Sequence, residues 1–200
     1  MEAAFKNKEG RAVMGKSAEQ NKKALGGAAD NLEAGAQSIP VERGLLGAAA
    51  AVARSAAQEV ADVGEDPDRV EPEDSPDLTD KLRGLDAASA ELIASEPNDK
   101  FKDQIANDVG RVDKAADDFD KAAIAAAADP TPEARTVVDK ASEELTSALD
   151  DLLRNAKRRQ DEKERAEREA AQAKLHDAAD KVCPTDSVGD GMGNVAGDMK

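Results

Sequence analysis

An all-α fold, an antiparallel four- to five-helix bundle, is what this sequence predicts, and three observations predict it. Apolar residues recur in alternating steps of three and four along five segments. Proline-containing breaks separate most of those segments. Alanine makes up much of the 40% apolar content, and the 200 residues include no Trp or Tyr and only three aromatics, Phe5, Phe101 and Phe119. Burying a Leu or Phe contributes roughly 1.5–3 kcal/mol and a methylene about 0.8, so an alanine-rich seam allows close helix packing but stabilises weakly per residue.

The first segment places Met14, Ala18, Leu25, Ala29, Leu32 and Ala36 on one stripe. Gly15, Gly26, Gly27 and Gly35 interrupt it, each weakening a helix by up to about 1 kcal/mol relative to Ala, so residues 1–39 are expected to form a separate, kinked or frayed N-terminal helix. The bundle is expected over 40–156. Its first helix, about Val41 to Val63, carries Leu45, Ala49, Val52, Ala56, Val60 and Val63, with Pro40 suited to the first helical position. Gly64 to Pro76 reads as an acidic loop that lacks the spaced ligands and turn glycine of a calcium-binding loop.

Ser75-Pro76 with Asp77 is an N-cap, a first-turn proline and an acid that suits the helix dipole, opening a helix whose face is Leu78, Leu82, Leu85, Leu92 and Ile93. After Glu96-Pro97-Asn98 the strongest heptad pattern runs through Phe101, Ile105, Val109, Val112, Ala116, Phe119 and Ala123 to about Ala128. Asp129-Pro130-Thr131-Pro132 is a tight break in which Thr131 caps the next helix and Pro132 takes its first position, so that helix folds back antiparallel. It carries Val138, Ala141, Leu145, Ala148 and Leu152, then hardly an apolar residue. Residues 157–182 are therefore expected to be a protruding, charged helical extension, supported by pairs four apart such as Glu164 with Arg168 and Arg165 with Glu169. The glycine-rich stretch 183–200 is expected to be a disordered tail.

Charge and composition narrow the function. A net charge of −15 opposes binding to phosphate backbones or anionic membranes, and Lys157-Arg158-Arg159, followed at once by acids, reads as a solvated helix face. No stretch approaches the 18 or so apolar residues of a membrane span, and no apolar leader is evident at the start. One cysteine, Cys183, gives no disulfide within the chain and no zinc motif. His176, the single histidine, reads as a surface residue on a polar helix face, and Cys183 follows at helical distance where the helix is expected to give way to a tail that would not hold a Cys/His nucleophile in place. Gly189-Asp190-Gly191-Met192-Gly193 follows no strand and opens no helix, so it is no phosphate loop. The expectation is no enzyme, no cofactor and no metal, in a cytoplasmic monomer or weak dimer.

From Leu25 to Leu153 the pattern resembles the helical bundles of the vinculin/α-catenin family, with the related talin rod bundles close behind. The Ala/Leu-rich run from Val41 to Ala56, opened by Arg43-Gly44, resembles a helix of that family, and Ile124 to Ala141 resembles its short proline turn between two long antiparallel helices. Leu45, Ala48, Ala49, Val52, Ala53 and Val60 also resemble a talin-type vinculin-binding helix; Ala56 and Val63 differ in size from its apolar residues, and Glu59 departs from it where an apolar residue is expected. What the resemblance implies is a cytoskeletal or cell-adhesion adaptor at the cell cortex or junctions, binding an amphipathic helix of its partner by helix addition. Nothing here matches the family's actin-binding tail, so direct actin binding is not implied. The residues expected to meet the partner helix are Leu45, Ala49, Val52, Val60, Leu82, Leu85, Val112 and Phe119. The alternative is a stress-protective protein of the late-embryogenesis-abundant type, disordered until dried.

Overall fold

The computed structural model describes residues 2–65 and 76–182, and over those residues the chain is an all-α bundle. Five helices follow in order: α1 (Glu2–Ser38), α2 (Arg43–Glu65), α3 (Pro76–Ser95), α4 (Asp99–Ala128) and α5 (Pro132–Val182), with a short 3-10 turn at Pro40–Glu42 between the first two. The turn starts with Pro40 at its first position, as the missing N–H of proline favours. It also delays the second helix, which opens at Arg43 and leaves Val41 in solvent. The caps at the two later breaks follow the local chemistry. Asn98 Oδ1 accepts from the Lys100 N–H at 3.0 Å, and Thr131 Oγ1 accepts from the Ala134 N–H at 3.1 Å. Ser75, the expected cap of α3, lies outside the described residues, as do the acidic stretch 66–75 and the expected tail 183–200.

Residues up to Arg159 form one compact unit, and α5 from Gln160 onward belongs to a second. Within the first unit a single apolar cluster takes in side chains from all five helices. The expected N-terminal piece, 1–39, shares it: Ala18, Leu25, Ala28, Ala29, Leu32 and Ala36 are all buried there. Nor do the glycines break α1, which is continuous from Glu2 to Ser38. Gly35 explains part of this, because a Cβ at that position would run into Leu153 Cδ1 and stand 3.4 Å from Leu46 Cδ1. The missing side chain is what lets α1, α2 and α5 approach there.

Side-chain pairs set the directions of neighbouring helices. Arg54 of α2 reaches Asp30 and Glu33 of α1, while Leu46 sits at Gly35, so α1 and α2 run in opposite directions. Asp151 with Arg111 and Asn155 with Asp108 make α4 and α5 antiparallel. Asp139 of α5 accepts from Ser17 and Asn21 in the middle of α1, and Leu153 packs at Gly35 further along, so α1 and α5 run parallel. The third helix lies against both α2 and α4, which also touch each other.

In the second unit, Gln160 Nε2 and Arg168 Nη2 both donate to Glu164, at 2.9 Å each, so the expected Glu164–Arg168 pair forms. Residues 165–179 are solvent-exposed throughout, Leu175 and His176 among them.

Candidate functional site

Seven of the eight residues expected to meet a partner helix are core. Leu45, Ala49, Val52 and Val60 on α2, Leu85 on α3, and Val112 and Phe119 on α4 are at most 1% exposed. Leu82 is half-buried and packs on the edge of the same cluster. The structure thus brings the eight together on three adjacent helices, but as contents of the bundle rather than as an open groove. A partner could reach those on α2 and α4 only where the helix lying over them departs. One helix in contact with both α2 and α4 is α3, while α1 packs on α2 as well.

The hold on α3 is uneven. Its large buried side chains are Leu78, Leu85 and Leu92, one every seven residues, with Leu82 and Ile93 half-buried beside them. By contrast α2 buries Leu45, Leu46, Val52, Val60 and Val63 with a run of alanines between them. At the start of α3, Ser55 Oγ of α2 donates to Asp77 Oδ2 at 2.6 Å. That bond, together with Lys81 one turn on, holds the Asp77 carboxyl below the usual carboxylate range. Midway along, the exposed Asp86 is the neighbouring charge of the half-buried Asp113 on α4. Burial and the neighbouring Asp86 charge push Asp113 up to about 6, and its Oδ1 is shut off from solvent with no hydrogen-bond partner among the described residues.

A second polar cluster closes the core where α5 leaves the first unit. Arg159, 1% exposed, donates from Nε to Glu42 Oε1 at 2.8 Å and from Nη2 to Glu42 Oε2 at 2.7 Å. Its Nη1 donates to Asp108 Oδ2 at 2.8 Å, and Asn155 Nδ2 donates to Asp108 Oδ1 at 2.7 Å. Burial alone would lower the Arg159 pKa, but the bonds from the two carboxylates outweigh it and the guanidinium is held more firmly protonated than usual. The expectation that Lys157-Arg158-Arg159 forms a solvated face is therefore corrected at Arg159. It lies in phase with Leu145, Leu149, Leu152 and Ala156, so the core stripe of α5 carries it inward. Lys157 and Arg158, off that stripe, are exposed.

The sequence held a signal for this cluster that a search for apolar residues passes over. Phe101, Ile105, Asp108, Val112, Ala115 and Phe119 follow one three–four rhythm, and Asp108 occupies a core position within it. A charge in phase with an apolar stripe calls for a partner of opposite sign. Glu42 gives no comparable sign, because it lies in the short turn between helices.

A cleft of about 280 Å³ between α1 and α5 is lined by Asn21, Ser142, Thr146, Ser147 and Arg154, among others, and contains none of the eight expected residues. Among the described residues no group of three or more metal-ligating side chains converges, and no helix is long and apolar enough to cross a membrane. Cys183 lies outside the described residues. The chain matches no protein-family model, no curated protein and no solved structure.

Proposed function

We propose that this chain is a non-enzymatic, helix-binding adaptor: an antiparallel five-helix bundle that accepts an amphipathic partner helix in the groove between α2 and α4 now filled by α3. The observation that carries this reading is the thin apolar hold on α3 beside the dense one on α2. Elements with few buried contacts open first, and a foreign helix with larger apolar residues competes best for the groove of the weakest native one. Leu45, Ala49, Val52, Val60, Val112 and Phe119 are then part of the surface offered. Leu85 and Leu82 belong to the pattern that a partner must reproduce, with apolar residues recurring about every seven positions. With no family to name a cytoskeletal partner, the partner is specified by this chemistry alone.

The test uses α3 as its own probe. A fluorescent peptide of residues 76–95 is titrated into the full chain and into its Leu85→Ala variant, after a circular dichroism melt of each. The reading expects one cooperative transition and tighter peptide binding to the variant, whose tethered competitor is weakened. Folded chains that both ignore the peptide would overturn it, and a coil-like spectrum without a transition would favour the stress-protective alternative.

A further inference from the structure

We infer that the cleft between α1 and α5 is a binding site for a small linear polyamine, held through its ammonium groups. The volume of about 280 Å³ lies just below the usual range of small-molecule sites, which suits a slender ligand. The α5 wall is Ser142, Thr146 and Asp150, four residues apart, with Glu143 beside them, and the α1 wall is Asn21 and Ala24. Neither an aromatic ring nor a large apolar side chain lines the cleft, so a flat or greasy ligand finds no partner there.

The ligand class follows from which hydrogen-bonding groups are engaged and which are open. Asn21 Nδ2 donates to Asp139 at 2.8 Å, the Thr146 hydroxyl to the Ser142 carbonyl at 2.8 Å, and Arg154 Nη1 to Asp151 at 2.5 Å. These donors are turned away from the cleft. The acceptors are open: Asn21 Oδ1, the Thr146 oxygen and the carboxylates of Glu143 and Asp150 take no hydrogen bond from the described residues. Ser142, the buried member of the lining, is 2% exposed, and its Oγ has no hydrogen-bond partner among the described residues. A folded chain seldom leaves a buried hydroxyl in that state.

Open acceptors with negative charge select a ligand that brings N–H donors and positive charge. Arg154, the one cation in the lining, is engaged by Asp151, so an anion gains little there. Glu143 and Asp150 lie seven residues apart on one helix, about 10 Å along its axis. That spacing suits two ammonium groups on one chain. It does not suit a metal ion, whose carboxylate ligands must converge, and no such group converges among the described residues. A linear polyamine carries charges at intervals along an alkyl chain, and Ala24 gives that chain an apolar contact.

Isothermal titration calorimetry of the full chain with spermidine tests it, in about 0.15 M salt, where diffuse attraction to an acidic protein is screened. One saturable site is expected. Asp150→Asn and, separately, Glu143→Gln should each weaken it about 2- to 5-fold, as loss of one exposed ion pair implies. Asp118→Asn, on the exposed face of α4, removes the same charge and should leave binding unchanged. Spermidine with methyl groups in place of every N–H keeps its charge without its donors and should bind more weakly than spermidine. Thermal melts of each variant separate loss of binding from loss of folding. A folded parent chain that shows no saturable site, equal weakening by Asp118→Asn, or methylated spermidine binding as well as spermidine overturns the inference. The cleft contains no residue of α3, so none of these outcomes bears on the docking reading.

Discussion

Two polar clusters join helices in this bundle, and they differ in one respect. Around Arg159, two acids from distant parts of the chain surround a buried cation; between α3 and α4, two acids meet with none. The first is a fixed bond between α5, α4 and the α1–α2 turn, because every polar group in it has a partner and its charges are opposite. At the second, burial and the Asp86 charge favour the protonated form of Asp113. Burial thus strengthens a matched cluster and disfavours the charge of an unmatched acid, and the four predictions below try to break that contrast.

The largest effect is expected at the cation. Arg159→Ala leaves Glu42 and Asp108 buried without their partner, which costs about 3–5 kcal/mol. In a chain with an alanine-rich core, urea unfolding should show a large drop in midpoint. Replacing all three by neutral residues of similar shape, Arg159→Met with Glu42→Gln and Asp108→Asn, should recover most of it. If the single variant unfolds at the same midpoint as the parent, the cluster does not close the bundle.

A smaller effect separates two glycines of α1. Gly35→Ala forces its methyl onto Leu153 and Leu46, an overpacking that costs about 1–3 kcal/mol. Gly27→Ala meets nothing within 4 Å and should stabilise by up to about 1 kcal/mol. Thermal melts of the two variants should move in opposite directions. A shift of the same sign in both would mean that α1 is not packed through Gly35.

These glycines also show what the sequence made legible. Periodicity located all five helices, and the caps at Asn98 and Thr131 and the turn proline at Pro40 are local chemistry that a sequence exposes. The place of α1 in the core was not legible. Four glycines count equally against a helix by propensity, whereas the close approach that Gly35 permits depends on α2 and α5. The candidate residues were legible as apolar faces but not as buried ones, since a stripe does not say which helix lies over it. The Arg159 cluster was half legible, through phase at Asp108 and Arg159. The Asp86–Asp113 pair was not, because in an acidic chain no two carboxylates are marked as neighbours until helices are packed.

Next in size is the acid pair. Asp113→Asn should stabilise the chain at pH 7.5 by about 1–2 kcal/mol, after discounting the shift for solvent screening of a half-exposed pair. At pH 4.5, where Asp113 already holds its proton, it should change little. The parent should therefore gain stability on going from pH 7.5 towards 5. It should lose stability on further acidification, as Asp77, Asp99 and Asp151, whose carboxyls lie below the usual range, take up protons and give up their partners. Urea midpoints against pH should peak in between, and a parent curve rising steadily from pH 5 to 7.5 would contradict the raised Asp113 pKa.

The smallest effect is the sharpest control on the comparison. Arg54 on α2 faces two acids of α1, Asp30 at 3.5 Å and Glu33 at 2.7 Å, the same charge arrangement as Arg159 with its two acids. The difference is water: the Arg54 side chain is 54% exposed and that of Arg159 is 1% exposed. Exposed pairs contribute about 0.2–1 kcal/mol and are screened by salt, because removing one partner leaves the other to be solvated. Arg54→Ala should therefore shift the urea midpoint slightly in low salt and hardly at all in high salt. If it matched Arg159→Ala in size, burial would not be what makes the Arg159 cluster strong. The contrast between the two acid clusters would then have to be sought in their geometry.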